Sequence, residues 1–415
     1  MYAFICIIVS LVILIILLRL KIKIGLSMLL SACLLATLYG LWPNEIIQAL
    51  ITEWNSKPLT QTTGYLFISL TILVLLVNVI GVAMEEIGIS RRLVPAMHNL
   101  FKSRRFALAL IPLMMGMLPT PGGIMLSAPM VREAGDKIGV ERSRLAAINY
   151  FFRHQWEPIW PLFPAIPLIQ RMLDIKAFRL FSCHIFLTAA GVIGGVIALL
   201  IFGIPPKHPD HIPEKRHIGH NLLDFLHAFW PIVFTAILYV AFDLPPALGI
   251  LLAIFGLLML HKVPLSRWGH VFKAAREPDM VMLIFGALFF KLNLQTSGAV
   301  GSVVDFFTKA NVPPNVLIFL LPMLVAFSTG VTVATVAISY PFLLAFTGTG
   351  SETKMGLETL AFSGLLFGLW LTPIHLCLSL SASYFQTSLM KIILKVLLPA
   401  VAVAITGILL ALFCG

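Results

Sequence analysis

Charge is what this sequence has least of. Asp, Glu, Lys and Arg make up 11% of the 415 residues, against about 25% in soluble domains, while 59% are apolar and the mean hydropathy is +0.98. That balance excludes a soluble protein, and no polar stretch is long enough to stand as a soluble domain beside the apolar ones. A Gly-rich loop ending in Gly-Lys-Ser/Thr is absent, so nothing argues for ATP-driven work. The five cysteines (Cys6, Cys33, Cys183, Cys377 and Cys414) have no metal-ligand spacing and read as small core residues. Paired catalytic sets such as Asp-Asp, His-Glu-x-x-His or Ser-His are also lacking, which argues against an intramembrane enzyme or a lipid-handling protein. Residues 1–18 lack the basic start and small-residue cleavage site of a signal peptide and are expected to form a first membrane span.

What is present is a series of apolar runs of about 20 residues, the length that crosses a hydrocarbon core of about 30 Å. Spans are expected near 2–19, 24–42, 62–88, 144–170 and 180–204, then near 225–242, 246–261, 279–298, 357–386 and 392–413. Two further runs, 106–130 and 313–343, are interrupted by Pro, Gly, Ser and Thr and are expected to be re-entrant hairpins, because non-helical backbone at depth is tolerated only where it is buried in protein or lines a cavity. The net charge of +11 does not imply nucleic acid, since the basic residues sit in short loops between spans. With the N-terminus outside, 21 of the 29 Lys and Arg fall on the cytoplasmic side and 6 outside, as the positive-inside rule requires.

The interrupted runs occur in pairs. Residues 116–130 (GMLPTPGGIMLSAPM) correspond to 326–342 (AFSTGVTVATVAISYPF), and Gln155-Trp156-Glu157-Pro158-Ile159 to Trp370-Leu371-Thr372-Pro373-Ile374, at offsets of 210 to 215 residues. Five spans per half is an odd number, so the two repeats are expected to be inverted: 1–204 (scaffold 2–88, hairpin 106–130, broken helix 144–170) and 225–415 (hairpin 313–343, broken helix 357–386). The linker 205–224 between them is expected in the cytoplasm. Its histidines His208, His211, His217 and His220 suit a solvated linker or a metal site. The fold class is therefore an all-α membrane protein of two inverted repeats, with Pro-broken helices near the midplane and both termini outside the plasma (inner) membrane.

Breaks at corresponding points of two halves point to the binding site of a secondary transporter. At the hairpin tips, Pro119, Thr120, Pro121, Gly122 and Gly123 answer Ser328, Thr329, Gly330 and Thr332, combining helix breakers with hydroxyls. A half-helix starting after such a break aims its N–H groups at an anion, while freed carbonyls suit a small cation, with Na⁺ a candidate near Thr120, Ser328 and Thr329. In the broken spans, Pro158 and Pro373 each remove an N–H. Arg153, His154 and Glu157 lie within one turn, and an Arg153–Glu157 pair at i,i+4 is either a structural clasp or working charge; the second half offers Thr372 and His375. Lys291 is either a snorkelling lysine or a counter-charge for an anion.

This layout resembles the ion transporter superfamily, which includes dicarboxylate, citrate, gluconate and arsenite carriers and some sodium/proton antiporters. The tract Leu118-Pro119-Thr120-Pro121-Gly122-Gly123-Ile124-Met125 further resembles one branch of it, the DUF401 integral membrane proteins. The resemblance implies that Thr120, Gly122, Gly123, Glu157, Ser328, Thr329, Gly330 and Thr372 hold substrate and coupling ions, and that the hairpins move like an elevator against a dimeric scaffold. The tips depart from the Ser-Asn-Thr motifs of the sodium-coupled dicarboxylate carriers. The expectation is an ion-coupled carrier of a small organic or inorganic anion, with no cofactor beyond a coupling Na⁺ or H⁺, no nucleic-acid partner and a homodimeric state; the alternative is a cation/proton antiporter.

Overall fold

The computed structural model describes residues 2–87, 104–117, 124–204, 218–273 and 277–414. Among the described residues the structure is almost entirely helical, with no strand. Helices satisfy their interior backbone donors and acceptors within one segment, which is what a bilayer demands. Among the described residues six helices are long and apolar enough to span a membrane, or seven if a pair bent by 103° is one span. Outward faces carry Phe202, Leu398, Leu412 and Phe413, each more than 60% exposed, a surface suited to lipid and not to water. The chain is a multi-pass helical membrane protein.

In the first part of the chain, α1 (Tyr2–Arg19), α2 (Ile24–Leu38), α3 (Pro43–Ser56) and α4 (Thr63–Glu86) precede α5 (Arg104–Gly116) and α6 (Ile124–Asp136). Then come α7 (Arg142–Arg153), an irregular stretch 154–164, α8 (Ala165–Leu173) and α9 (Ala177–Gly195). The second part begins with α10 (Ile218–Phe242), α11 (Pro246–Leu260), α12 (Leu265–Lys273), α13 (Pro278–Thr296) and α14 (Ala299–Lys309). It continues with α15 (Pro314–Thr329), α16 (Thr332–Thr347), α17 (Met355–Leu371), α18 (Leu376–Phe385) and α19 (Leu389–Cys414).

Several spans differ from expectation. The expected span 24–42 stops at Leu38, and Pro43 at the first helical position starts α3, the bent partner. α3 and α14 fall where loops were expected; α14 starts after Gly298, whose φ of +68° ends the preceding helix. The expected span 246–261 is the 15-residue α11, shorter than a full crossing. The segments 144–170 and 357–386, expected as Pro-broken helices, are each two helices with a break between them. Residues 205–217 of the expected linker and the tip of the first hairpin lie outside the described residues, while 218–224 belong to the start of α10.

Small residues allow close helix contacts. A Cβ on Gly364 would sit 2.2 Å from the carbonyl oxygen of Phe319, and one on Gly368 2.1 Å from that of Met323, so α17 and α15 touch backbone to backbone along one glycine-lined seam. A buried polar cluster ties three further elements together. The His184 ring of α9 donates through Nδ1 to the Pro158 carbonyl (2.6 Å), its Nε2 meets Glu358 Oε2 of α17 (2.7 Å), and Tyr340 of α16 donates to Glu358 Oε1 (2.9 Å). Every member is paired, which is what makes such a cluster tolerable in a low-dielectric interior.

Candidate functional site

Two breaks build the site, and each is made by the same chemistry. α7 ends at Arg153 because the chain beyond carries Pro158, Pro161 and Pro164, which cannot donate to a helical ladder. The carbonyls at and just past the end of α5 are orphaned by that helix's own end, and Arg153 together with the irregular stretch supplies their donors. Trp156 Nε1 donates to Leu113 O (2.7 Å), an Arg153 guanidinium nitrogen to Met115 O (2.8 Å), and Trp160 Nε1 to Met117 O (2.9 Å). Gly116 permits this approach, since a Cβ there would lie 2.1 Å from the Arg153 carbonyl.

The second break repeats the arrangement. α15 ends at Gly330, with φ +68°; Val331 is extended, and α16 restarts at Thr332. α17 stops at Leu371, before Pro373, and α18 restarts at Leu376. The Thr372 hydroxyl donates to Phe327 O (2.5 Å), and His375 Nδ1 donates to Gly330 O (2.8 Å). At both breaks, then, side chains beside the break cap carbonyls at the end of a neighbouring helix.

The breaks meet. His154 Nε2 lies 3.0 Å from His375 Nε2, and Tyr150 stands beside both rings, its hydroxyl bonded to Leu369 O and Trp370 O (3.3 Å each). Around the contact is a cavity of about 460 Å³, a volume typical of small-molecule sites. Its polar lining comes from the two breaks: Arg153, His154, Glu157, Thr329, Thr332 and His375, with Cys377. The lining drawn from α1, α2, α4 and α13 is apolar, for example Leu18, Val77 and Leu283, apart from Asn78. Glu157 is buried, and its Oε2 has no hydrogen-bond partner. No ion pair joins it to Arg153, whose guanidinium instead caps Met115.

Of the expected residues, Arg153, His154, Glu157, Thr329, Gly330, Thr332 and His375 line this cavity. Thr372 does not; it is buried as a cap. Ser328 donates back to Leu324 O within its own helix (2.7 Å) and faces away. Lys291 is buried but outside the cavity lining, within electrostatic reach of Glu53, which itself bonds Lys57 (2.8 Å) and the Thr63 amide (2.9 Å). Pro119, Thr120, Pro121, Gly122 and Gly123 lie outside the described residues. The sequence reading passed over Asn78 and Cys377. For Cys377 one signal existed: it follows His375 by two positions, just past a break.

The fold is similar to the crystal structure of the Alcanivorax borkumensis YdaH transporter, reported to have an unusual topology, with 12% identity, 88% of each chain covered and a TM-score of 0.59. At that identity the likeness concerns the fold alone. No curated protein matches the chain. The model of the family described as a protein of unknown function (DUF401) matches residues 3–414. The chain belongs to the DUF401 family.

Proposed function

We propose that this protein is an ion-coupled secondary transporter of a small anion, an organic carboxylate or an oxyanion, working by elevator-type alternating access. The observation that carries the reading is how the cavity lining divides by element: every charged group comes from the two chain breaks, and the lining drawn from α1, α2, α4 and α13 is apolar but for one Asn. A ligand bound to the polar wall can travel with it past an apolar surface that offers no competing partner. Helices α16 and α18 begin at the cavity with Thr332 and Leu376, so their positive ends favour negative charge there. Arg153 adds a fixed cation. A transporter as fold neighbour supports the same reading.

In this proposal the halves 1–204 and 225–415 are inverted repeats, both termini lie outside, and Glu157 carries the coupling charge. A dimeric scaffold is part of the same proposal. The second reading, a cation/proton antiporter, is favoured by one observation, the unpartnered Glu157 carboxylate oxygen beside open space. Counterflow in proteoliposomes against a panel of carboxylates and oxyanions separates the two. The anion reading expects one class to exchange, whereas the antiporter reading expects Na⁺ to collapse an imposed pH gradient with no anion moving.

A further inference from the structure

The contact between His154 and His375 is chemically incomplete. His154 Nδ1 is 2.6 Å from the Tyr150 carbonyl and His375 Nδ1 is 2.8 Å from the Gly330 carbonyl. A carbonyl only accepts, so each ring carries its proton on Nδ1 and, when neutral, presents a bare lone pair at Nε2. The two Nε2 atoms face each other at 3.0 Å. Two lone pairs at that distance repel unless a proton or a metal cation sits between or beside them, and the Cys377 thiol, which reaches His154, can serve only one of the two. The Cys377 sulfur completes the group: the ligand atoms of His154, His375 and Cys377 all lie within 4.8 Å of one another.

We propose that His154, His375 and Cys377 bind a soft transition-metal cation, with Zn²⁺ as the fitting ion. Zinc takes imidazole nitrogens at about 2.0–2.1 Å and thiolate sulfur at about 2.3 Å in a tetrahedron. Two such nitrogens lie about 3.3 Å apart, close to the separation in the protein. The Nδ1 bonds to backbone carbonyls are the outer contacts that metal-bound histidines use to fix tautomer and ring orientation. A thiolate beside two imidazoles selects zinc or copper(I) over magnesium or calcium, which prefer oxygen. Three protein ligands leave a fourth position, and all three residues line the cavity, so that position is open to it.

The ligands come from both breaks. His154 belongs to the first broken span, and His375, through its bond to Gly330, to the second broken span and the second hairpin tip. A bound ion therefore clamps the two halves together at the cavity. The inference stands apart from the anion reading, because binding is measured without transport.

The test uses full-length protein purified without a histidine tag, stripped with chelator, dialysed against Zn²⁺ and analysed for metal. The expected result is one tightly held zinc per chain, lost in His154→Gln and His375→Gln and weakened in Cys377→Ser. It should survive in a His227→Gln/His261→Gln variant, which removes the exposed pair whose Nε2 atoms lie 2.8 Å apart. Each variant is checked for unchanged monodispersity. Co²⁺ substitution of the unaltered protein gives a second readout that needs no variant: tetrahedral d–d bands with a thiolate-to-metal charge-transfer band. Absence of retained zinc, retention that depends on His227 and His261 instead, or a cobalt spectrum lacking the thiolate band overturns the proposal. In the first case the histidine contact belongs to a shared proton.

Discussion

Replacing Gly330 by alanine separates two costs that the structure assigns to one residue. The first is conformational: φ is +68°, and an L-residue in the left-handed region costs about 1–2 kcal/mol. The second is contact: the new Cβ would lie 3.3 Å from the His375 nitrogen and 3.4 Å from its Cα and from the Ile374 carbonyl carbon, so that backbone must shift by a few tenths of an ångström. That shift loosens the His375–Gly330 hydrogen bond, worth about 0.5–1.5 kcal/mol net. The control is Gly298, also at φ +68°, where a Cβ meets nothing within 4 Å. Gly298→Ala should therefore pay only the first cost, and Gly330→Ala both, about 1.5–3.5 kcal/mol in all. Thermal unfolding in one detergent should rank the midpoints wild type, Gly298→Ala, Gly330→Ala. Transport should persist in Gly298→Ala and be lost in Gly330→Val, whose branched side chain enters the cavity. Equal midpoints for the two alanine variants together with normal uptake by Gly330→Val would refute the reasoning that the tip must approach position 375.

Glu157→Gln is expected to keep ligand binding and remove the pH dependence of transport; because Arg153 caps Met115 and is not paired with Glu157, neutralising both residues should not restore activity, and rescue by that double variant would return Glu157 to a clasp. Trp160→Phe leaves the Met117 carbonyl without its donor and should lower stability by about 1–3 kcal/mol, read as a lower unfolding midpoint. Removing Glu358 strands His184 and Tyr340 in the interior, and Glu358→Ala should cost about 3–5 kcal/mol, with Glu358→Gln milder because Tyr340 keeps an acceptor. Single cysteines at positions 137 and 354 in a cysteine-free background should label from opposite sides of the membrane; labelling from one side removes the inverted arrangement.

The breaks were legible because their causes are local. Pro158 and Pro373 cannot donate to a helix, and Gly330 follows a hydroxyl pair in an apolar run, so both interruptions follow from residue type. The short helices α3 and α14 were not legible as spans because they are not spans: at 14 and 11 residues they cannot cross a bilayer, and a reading tuned to 20-residue apolar runs files them as loops. Which of the two alternatives for Arg153 holds was not legible in the sequence, for a different reason. Spacing favours Glu157 as its partner, but the orphan carbonyls at the end of a helix 38 residues earlier accept its proton instead, and no sequence window contains that contact. Cys377 failed similarly, since a lone cysteine acquires meaning only when two histidines 221 residues apart converge on it.

The central claim is that the polar wall of the cavity carries a small anion across the membrane. Counterflow in proteoliposomes tests it most directly, with a carboxylate and oxyanion panel inside, a labelled member outside, and Gly330→Val vesicles in parallel. The account predicts protein-dependent exchange of at least one anion class, lost in Gly330→Val and altered by pH in the wild type but not in Glu157→Gln. Exchange of no anion, together with dissipation of a pre-set pH gradient on addition of Na⁺, contradicts it.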